Sequence, residues 1–126
     1  MKTLLVVEDD DAFRDAVTRH LTEVGYVIIP VRTTMEALDV IDSKCEFDAL
    51  LIDIYMPRGN THGIAVARMA RQRRSKLPIL FMTAYPEEIE ESQGLGKVLI
   101  RVLRKPLPLD QLTDEIHALF TIAPAP

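Results

Sequence analysis

The 126-residue sequence has a single cysteine, no tryptophan and no long apolar run. With Cys45 alone, an internal disulfide and every metal site built from several cysteines are excluded. No apolar stretch approaches the roughly 20 residues that a membrane-spanning helix needs. The apolar start, Leu4–Val7, gives way to acidic residues too soon for a signal peptide. We therefore expect a cytoplasmic protein.

Positive charge is also scarce, because the formal net charge is −4. This balance disfavours generic binding to nucleic acid or to an anionic membrane surface, and we expect neither as a direct partner. One basic set lies near the end of a predicted helix, without interleaved aromatic residues, and we interpret it as a solvated helix end. Its members are Arg68, Arg71, Arg73, Arg74 and Lys76.

The composition is that of a soluble globular domain, with 48% hydrophobic and 27% charged residues. A chain of this length buries enough surface for one hydrophobic core without disulfides or a structural metal. We expect one domain over residues 1–121 and a flexible C-terminal tail over residues 122–126, which end in Ala-Pro-Ala-Pro.

Short apolar runs alternate with amphipathic, helix-length stretches along the chain. Strands are predicted at Leu4–Val7, Tyr26–Ile29, Ala49–Ile52, Ile79–Met82 and Val98–Leu103. Helices are predicted at Asp11–Val24, Thr34–Lys44, Ile64–Arg74, Pro86–Gln93 and Leu109–Phe120, and a loop over Tyr55–Gly63. This alternation predicts an α/β fold, an open parallel sheet covered by helices on both faces.

Ionisable and hydroxyl side chains follow the apolar runs. Ligands of such sheets bind at the carboxyl ends of the strands, so these positions are the candidate site. The first strand delivers Glu8 and Asp9, the third Asp53, the fourth Thr83 and the fifth Lys105.

Three carboxylates held together repel one another unless a cation joins them. A hard divalent cation such as Mg²⁺ suits this set, whereas the lack of histidine or cysteine at these strand ends argues against zinc. Aspartate is also a competent nucleophile for phosphoryl transfer. The sequence thus points to metal-assisted phosphoryl chemistry at the sheet edge.

The order of these motifs resembles the receiver domain of two-component response regulators, over about residues 3 to 121. The motifs are Val-Val-Glu8-Asp9, Leu-Leu-Ile-Asp53-Ile-Tyr-Met-Pro57, Met-Thr83-Ala84 and Leu-Arg-Lys105-Pro106. The intervals of 44, 30 and 22 positions that separate Asp9, Asp53, Thr83 and Lys105 are also those of the family.

The resemblance implies a flavodoxin-like sheet of order 2-1-3-4-5 with five helices. It also implies that Asp53 accepts a phosphoryl group from a sensor histidine kinase or a histidine phosphotransfer protein. Lys105 would then pair with Asp53 or its phosphate, Thr83 would bond a phosphate oxygen, and the bond between Lys105 and Pro106 would be cis.

The implied cofactor is Mg²⁺, with Mn²⁺ able to take its place. Asp9, Asp53 and the backbone carbonyl of Tyr55 would ligate the ion directly, and Glu8 would act through water. The implied output is a change in the surface formed by the fourth predicted helix, the fifth strand and the last helix. A downstream protein or a second copy would bind there.

Two departures from the family pattern stand out. Val102 lies three positions before the lysine, where the family usually has an aromatic residue. The loop from Pro57 to Gly63 is two residues longer than the common form.

The chain is expected to be a phosphoacceptor with at most slow self-dephosphorylation, not an enzyme.

Two alternatives remain open at this stage. Because Val102 stands at the usually aromatic position, one alternative is a receiver-fold adaptor that works without phosphorylation. The run from Asp9 to Asp11 superficially matches the Asp-x-Asp motif of haloacid-dehalogenase-like phosphatases, although the chain has no room for their cap domain.

Overall fold

The computed structural model describes residues 1–54, 63–86 and 99–122. Strands and helices alternate along most of the chain. Their order is β1 (Thr3–Val7), α1 (Asp11–Val24), β2 (Val27–Val31), α2 (Thr34–Asp42), β3 (Ala49–Asp53), α3 (Gly63–Arg73), β4 (Ile79–Thr83), β5 (Ile100–Arg104) and α4 (Leu109–Ile122).

The five strands form one parallel sheet in the order β2-β1-β3-β4-β5. This confirms the fold class and the strand order expected from the sequence. The chain passes from β2 back across β1 to β3, so the strand order reverses between β1 and β3. In open α/β sheets, that reversal leaves a crevice at the carboxyl ends of the two strands.

Strand ends extend slightly past the apolar runs. β3 includes Asp53 and β4 includes Thr83, because the parallel ladder continues one residue beyond each run. β2 begins at Val27 and continues through Pro30 to Val31, whereas the strand was predicted over Tyr26–Ile29. Pro30 is tolerated because β2 is an edge strand, on which the missing N–H need not pair outward.

Within the described ranges there are four helices, not the five predicted. The predicted helix Pro86–Gln93 lies outside the described residues except for Pro86, as do Val98 and nearly all of the loop Tyr55–Gly63. The last predicted helix, Leu109–Phe120, is α4 and runs two residues further, to Ile122.

Polar caps explain where α1 and α2 begin. The side chain of Asp10 accepts a hydrogen bond from the Phe13 N–H at 3.1 Å, which makes Asp10 the N-cap of α1. Thr33 caps α2 in the same way. α1 ends, as predicted, at Gly25, whose φ of 118° suits a residue without a Cβ.

Two apolar clusters cover the two faces of the sheet. Leu5 and Val7 of β1 join the cluster beneath α2 and α3, whereas Leu4 and Val6 join the cluster beneath α1 and α4. Both sets of side chains are fully buried. The uninterrupted apolar run of β1 follows from burial on both faces.

At the amino end of the sheet, Arg71 and Arg74 turn inward to backbone carbonyls. Arg71 donates from Nε to the Leu77 oxygen at 2.7 Å and from Nη2 to the Leu99 oxygen at 3.3 Å. Its burial lowers the pKa of the guanidinium. The interpretation of the whole basic set as a solvated helix end is therefore wrong for Arg71 and Arg74.

Arg74 joins α3 to the segment between α2 and β3. It donates to the Ile41 oxygen at 3.1 Å and to the Cys45 oxygen at 2.8 Å. Its guanidinium carbon also lies 4.3 Å from the centre of the Phe47 ring. By contrast, Arg73 stays at the surface in an ion pair with Asp42.

None of the helices in the described ranges is long and apolar enough to cross a membrane.

Candidate functional site

The end of β1 presents two acidic side chains of different exposure. Glu8 is fully buried and Asp9 is half-buried. The backbone there is held from both sides, because the Glu8 N–H donates to the Val31 oxygen at 3.2 Å and Arg14 Nη1 donates to the Glu8 oxygen at 2.9 Å. The turn that carries both carboxylates is therefore fastened to β2 and to α1.

Asp53 ends β3, the strand between β1 and β4, and is only 7% exposed. The start of α3 presses on its backbone. A Cβ added to Gly63 would collide with the carbonyl oxygen of Asp53 and lie 2.9 Å from the Cα of Ile54. Glycine at position 63 is thus required by the close approach of α3 to the aspartate that the sequence singles out.

The structure brings Glu8, Asp9 and Asp53 together. Each offers a carboxylate oxygen, and these oxygens all lie within 4.8 Å of one another. Mg²⁺ binds oxygen ligands in an octahedron at about 2.0–2.1 Å and usually keeps several waters. A cluster of hard oxygen donors of this size fits such an ion, with water completing the shell.

Lys105 reaches the cluster from the end of β5. Its Nζ lies 2.5 Å from Glu8 Oε1 and 2.8 Å from Asp53 Oδ2. The contact with Asp53 is the one that the family resemblance implied, whereas the contact with Glu8 was not foreseen. The peptide bond between Lys105 and Pro106 is cis, as the resemblance also implied.

Burial and charge shift the protonation of this cluster. Burial raises the pKa of Glu8 to about 7, and the nearby Asp53 charge acts in the same direction against the opposing effect of Lys105. Burial alone would lower the pKa of Lys105, but its hydrogen bonds and charge interactions with Asp53 and Glu8 outweigh this and raise it. The Lys105 ammonium therefore opposes the uptake of a proton by Glu8.

Thr83 ends β4 beside the acidic cluster and is almost fully buried. Its hydroxyl oxygen accepts a hydrogen bond from the Tyr85 N–H at 3.0 Å. The next carbonyl, that of Ala84, accepts from Arg104 Nη1 at 3.1 Å. The segment after β4 is thus tied to β5 one residue before Lys105.

Val102 lies in β5 opposite Phe81 of β4. It is half-buried and packs against the cluster beneath α2 and α3. The position that the family usually fills with an aromatic ring is here part of the core. Tyr55, whose carbonyl was expected to bind the metal, and the longer loop after Pro57 lie outside the described residues.

Some contacts at the site involve residues that the sequence did not mark. The Phe13 ring centre lies 4.9 Å from Lys105 Nζ, and Arg14 and Gly63 touch the backbones of Glu8 and Asp53 as described above. A pocket of about 520 Å³ opens beside the ammonium, lined by Asp10, Phe13, Ala84, Lys105, Pro106 and Leu107. The spacing of α1 predicted Phe13 as an apolar contact, but no sequence signal linked it to a distant lysine.

Asp11 stands apart from the acidic cluster. Its side chain is 72% exposed and its Oδ1 lies 2.6 Å from Arg14 Nη2. In the Asp-x-Asp reading, Asp9 and Asp11 would have to act on one substrate. The engagement of Asp11 with Arg14 on α1 weighs against that phosphatase alternative.

Comparisons with known proteins give one consistent family. The model of the response regulator receiver domain matches residues 4–117. The response regulator MprA of Mycobacterium avium (strain 104) is 38% identical over 116 residues, covering 92% of this chain and 50% of that protein. The MprA of Mycobacterium ulcerans (strain Agy99) is 37% identical over the same length, covering 92% and 49%. The chain thus spans about half the length of the curated relatives it matches.

Solved structures agree on the fold. A response regulator receiver protein from Sinorhizobium medicae superposes with a TM-score of 0.86 at 23% identity, covering 98% of this chain and 97% of that one. The response regulator TrrA from Thermotoga maritima, solved in complex with Mg(2+)-BeF, gives 0.78 at 26% identity, covering 94% and 99%. Because the family match spans most of the sequence and includes Glu8, Asp9, Asp53, Thr83 and Lys105, the chain belongs to the family of response regulator receiver domains.

Proposed function

We propose that this chain is a phosphoacceptor whose Asp53 receives a phosphoryl group from a histidine kinase or a histidine phosphotransfer protein, with Mg²⁺ as cofactor. The observation that carries the proposal is the position of Lys105 Nζ, which bonds Asp53 and Glu8 at one buried edge. An ammonium placed there neutralises charge on the acceptor and meets the oxygens of an incoming phosphoryl group.

In the proposed step, one Asp53 carboxylate oxygen forms a bond to phosphorus. The bond from phosphorus to the imidazole nitrogen of the donor breaks, and its electron pair returns to the imidazole. The product is an acyl phosphate on Asp53. Asp53 suits this role because it is held at the end of β3, while its carboxylate remains partly accessible at the edge.

Asp9, Asp53 and the carbonyl of Tyr55 would hold the metal, and Glu8 would act through water. The bound ion supplies positive charge that offsets the phosphoryl oxygens and the crowded carboxylates. Lys105 would pair with the phosphoryl group, and the Thr83 hydroxyl, whose oxygen accepts from the Tyr85 N–H, would move to donate its O–H to a phosphoryl oxygen.

The proposed output is a protein-interaction switch. Moving Thr83 displaces the Ala84 segment, which Arg104 ties to β5. The surface that would respond is formed by β5 and α4 with the predicted helix Pro86–Gln93, nearly all of which lies outside the described residues, and its ligand would be a downstream protein or a second copy. Moving a two-state equilibrium from mostly inactive to mostly active takes about 5.5 kcal/mol of differential stabilisation.

The remaining expectations form part of the same proposal. Residues 1–121 act as the receiver and residues 122–126 as a tail, in the cytoplasm. Direct contact with nucleic acid or membrane is not part of the function, which is supported by the net charge of −4 and by the engagement of Arg71 and Arg74 with carbonyls. The chain turns over no substrate beyond slow loss of its own phosphoryl group.

The test is incubation with Mg²⁺ and acetyl phosphate, followed by intact mass and peptide mapping. We expect a mass gain of one phosphoryl group on Asp53. The gain should be absent when a chelator is added before the donor. Asp53→Asn should not be labelled, whereas Asp15→Asn, at an exposed position of α1, should be labelled like the wild type. Catalytic turnover of a generic phosphate ester, or labelling at another residue, would contradict the proposal.

The adaptor alternative is favoured by Val102, a half-buried side chain beside β4 that provides no ring to move in the usual place. It predicts that the association state and partner binding are the same with and without beryllofluoride. If Asp53→Asn also leaves both unchanged, phosphorylation is not the switch. A beryllofluoride-dependent change that Asp53→Asn abolishes excludes the adaptor.

A further inference from the structure

The face of the Phe13 ring is a partner of the Lys105 ammonium. Phe13 lies in the first turn of α1, and its ring centre is 4.9 Å from Lys105 Nζ. The ring is half-buried against the apolar cluster beneath α1 and α4, and the Phe13 N–H is bonded to Asp10. Packing on one side and the helix cap on the other therefore fix the ring beneath the ammonium.

Among the described residues, three groups hold the ammonium of Lys105: the carboxylates of Glu8 and Asp53, and the Phe13 ring. In the proposed reaction both carboxylates change. Asp53 would ligate the metal and lose its carboxylate charge on becoming an acyl phosphate, whose negative charge lies on the phosphoryl oxygens, and Glu8 would meet the metal through water. The ring is the member of the three that neither the metal nor the phosphoryl group engages.

A cation over an aromatic face is attracted by the ring quadrupole, and more strongly where water is excluded. Lys105 is one-quarter exposed, and Phe13 forms a wall of the pocket beside it. The ring therefore attracts the ammonium to the same place before and after the carboxylates are taken up, without competing for the metal.

We propose that Phe13 is a positioning residue for phosphoryl transfer, which holds the Lys105 ammonium at the site through its ring face. The inference rests on the proposed phosphoacceptor function and extends it to a residue outside the acidic cluster. In this role Phe13 acts through Lys105, whose Nζ lies 4.9 Å from its ring centre. A purely structural role would require only an apolar side chain of similar size.

Fluorination of the ring separates these two roles. Phenylalanine carrying one, two or three ring fluorines keeps nearly the same shape but progressively loses the negative potential of its face. We would incorporate this series at position 13 and measure the rate of Asp53 labelling by acetyl phosphate at saturating Mg²⁺. The rate should fall with each fluorine, by about threefold to tenfold over the series.

Natural substitutions complete the comparison. Phe13→Tyr keeps an aromatic face and should label at close to the wild-type rate. Phe13→Leu should label about as slowly as the most fluorinated ring. Thermal unfolding and Mg²⁺ affinity, followed by protein fluorescence, show whether either variant has lost its fold or its metal site.

The matched control is Phe47, whose ring faces the Arg74 guanidinium at 4.3 Å at the opposite end of the sheet. Fluorination there should lower stability without changing the labelling rate. If wild-type Asp53 is labelled but the rate is the same throughout the Phe13 series, the inference is overturned and the proposed function stands. If the wild type is not labelled at all, the proposed function fails and the role of Phe13 in transfer fails with it.

Discussion

The two ends of the sheet use partly buried cations in opposite ways. At the carboxyl end, the ammonium of Lys105 lies between the charged side chains of Glu8 and Asp53. At the amino end, Arg71 and Arg74 donate to neutral backbone carbonyls of Leu77, Leu99, Ile41 and Cys45.

The two ends of the sheet therefore differ in how their charged groups are balanced. At the amino end, the hydrogen bonds from arginine to carbonyls pair the guanidinium donors with neutral acceptors and bring no carboxylates together. At the carboxyl end of the described structure, three carboxylates meet one lysine, and burial already raises the pKa of Glu8. That end is stable only in so far as protons or an added cation balance it.

The largest effect is expected at the amino end. Arg74→Met removes two charge-assisted hydrogen bonds and the contact with the Phe47 ring, and should lower the free energy of unfolding by about 3 kcal/mol in denaturant titrations. The control is the neighbouring Arg73→Met. Its ion pair with Asp42 is 57% exposed on both sides, so the loss should stay below about 0.5 kcal/mol. Equal losses of unfolding free energy in Arg74→Met and Arg73→Met would show that the Arg74 contacts stabilise the fold no more than the surface ion pair does.

The second effect is a pH dependence of stability in the presence of a chelator. Glu8 has a folded-state pKa of about 7 against an ordinary 4.5. Between these values the folded chain holds a proton that the unfolded chain has released. The contribution is therefore full below pH 4.5 and lost as the pH rises through about 7, a change on the order of 3 kcal/mol.

The variant Glu8→Gln isolates this contribution. The difference between the wild-type and Glu8→Gln unfolding free energies should vary with pH in that window, whereas the difference for the exposed Glu23→Gln should stay flat. Saturating Mg²⁺ should reduce the variation, because the metal favours the ionised carboxylate. A wild-type minus Glu8→Gln difference that is constant across the window would mean that Glu8 keeps its ordinary pKa.

A third, smaller loss is expected where α3 meets the end of β3. Gly63→Ala places a methyl group against the Asp53 carbonyl and should cost about 1–2 kcal/mol of stability. It should also slow the labelling of Asp53, because the strain falls on the backbone of the acceptor. Gly25→Ala is the matched change: its φ of 118° strains alanine by about 1 kcal/mol, but nothing lies within 4 Å. Slower labelling in Gly25→Ala would show that the effect is not local.

The smallest expected effect has the opposite sign. Asp9→Asn relieves repulsion in the acidic cluster and should raise stability by about 0.5–1 kcal/mol in chelator. The wild type should instead gain about 2.7 kcal/mol at a Mg²⁺ concentration one hundred times its dissociation constant, a gain that Asp9→Asn should lack. Asp10→Asn, which preserves the N-cap of α1, should behave like the wild type in both buffers. Destabilisation by Asp9→Asn in chelator would argue against a crowded cluster.

Much of this architecture could be read from local sequence. Apolar runs such as Leu4–Val7 marked the strands, and the bounds of α1 were predicted to the residue because Gly25 ends the helix. The residues that follow the strands do meet at one edge, because carboxyl ends of parallel strands share it. Strand ends were less certain, since the ladder at Asp53 continues into a polar residue that periodicity assigns to a loop.

Contacts between distant segments could not be predicted in the same way. The Phe13 ring meets Lys105, and Gly63 meets the Asp53 carbonyl, only because α1 and α3 pack onto the sheet at particular angles. The inward turn of Arg71 was missed for a similar reason. A helix end rich in arginine looks solvated in sequence, and only the position of Leu99 supplies an acceptor.

The composition of the two sheet edges has a consequence for self-assembly. Pro30 removes a backbone donor from the outer strand β2, and exposed Arg101 and Arg104 occupy the outer strand β5. A strand from another molecule would find an interrupted ladder on one side and charged arginine side chains, engaged with Glu115 and the Ala84 carbonyl, on the other. Such edges resist the strand-to-strand stacking that begins fibril growth, so the sheet can stay open in a crowded solution without polymerising.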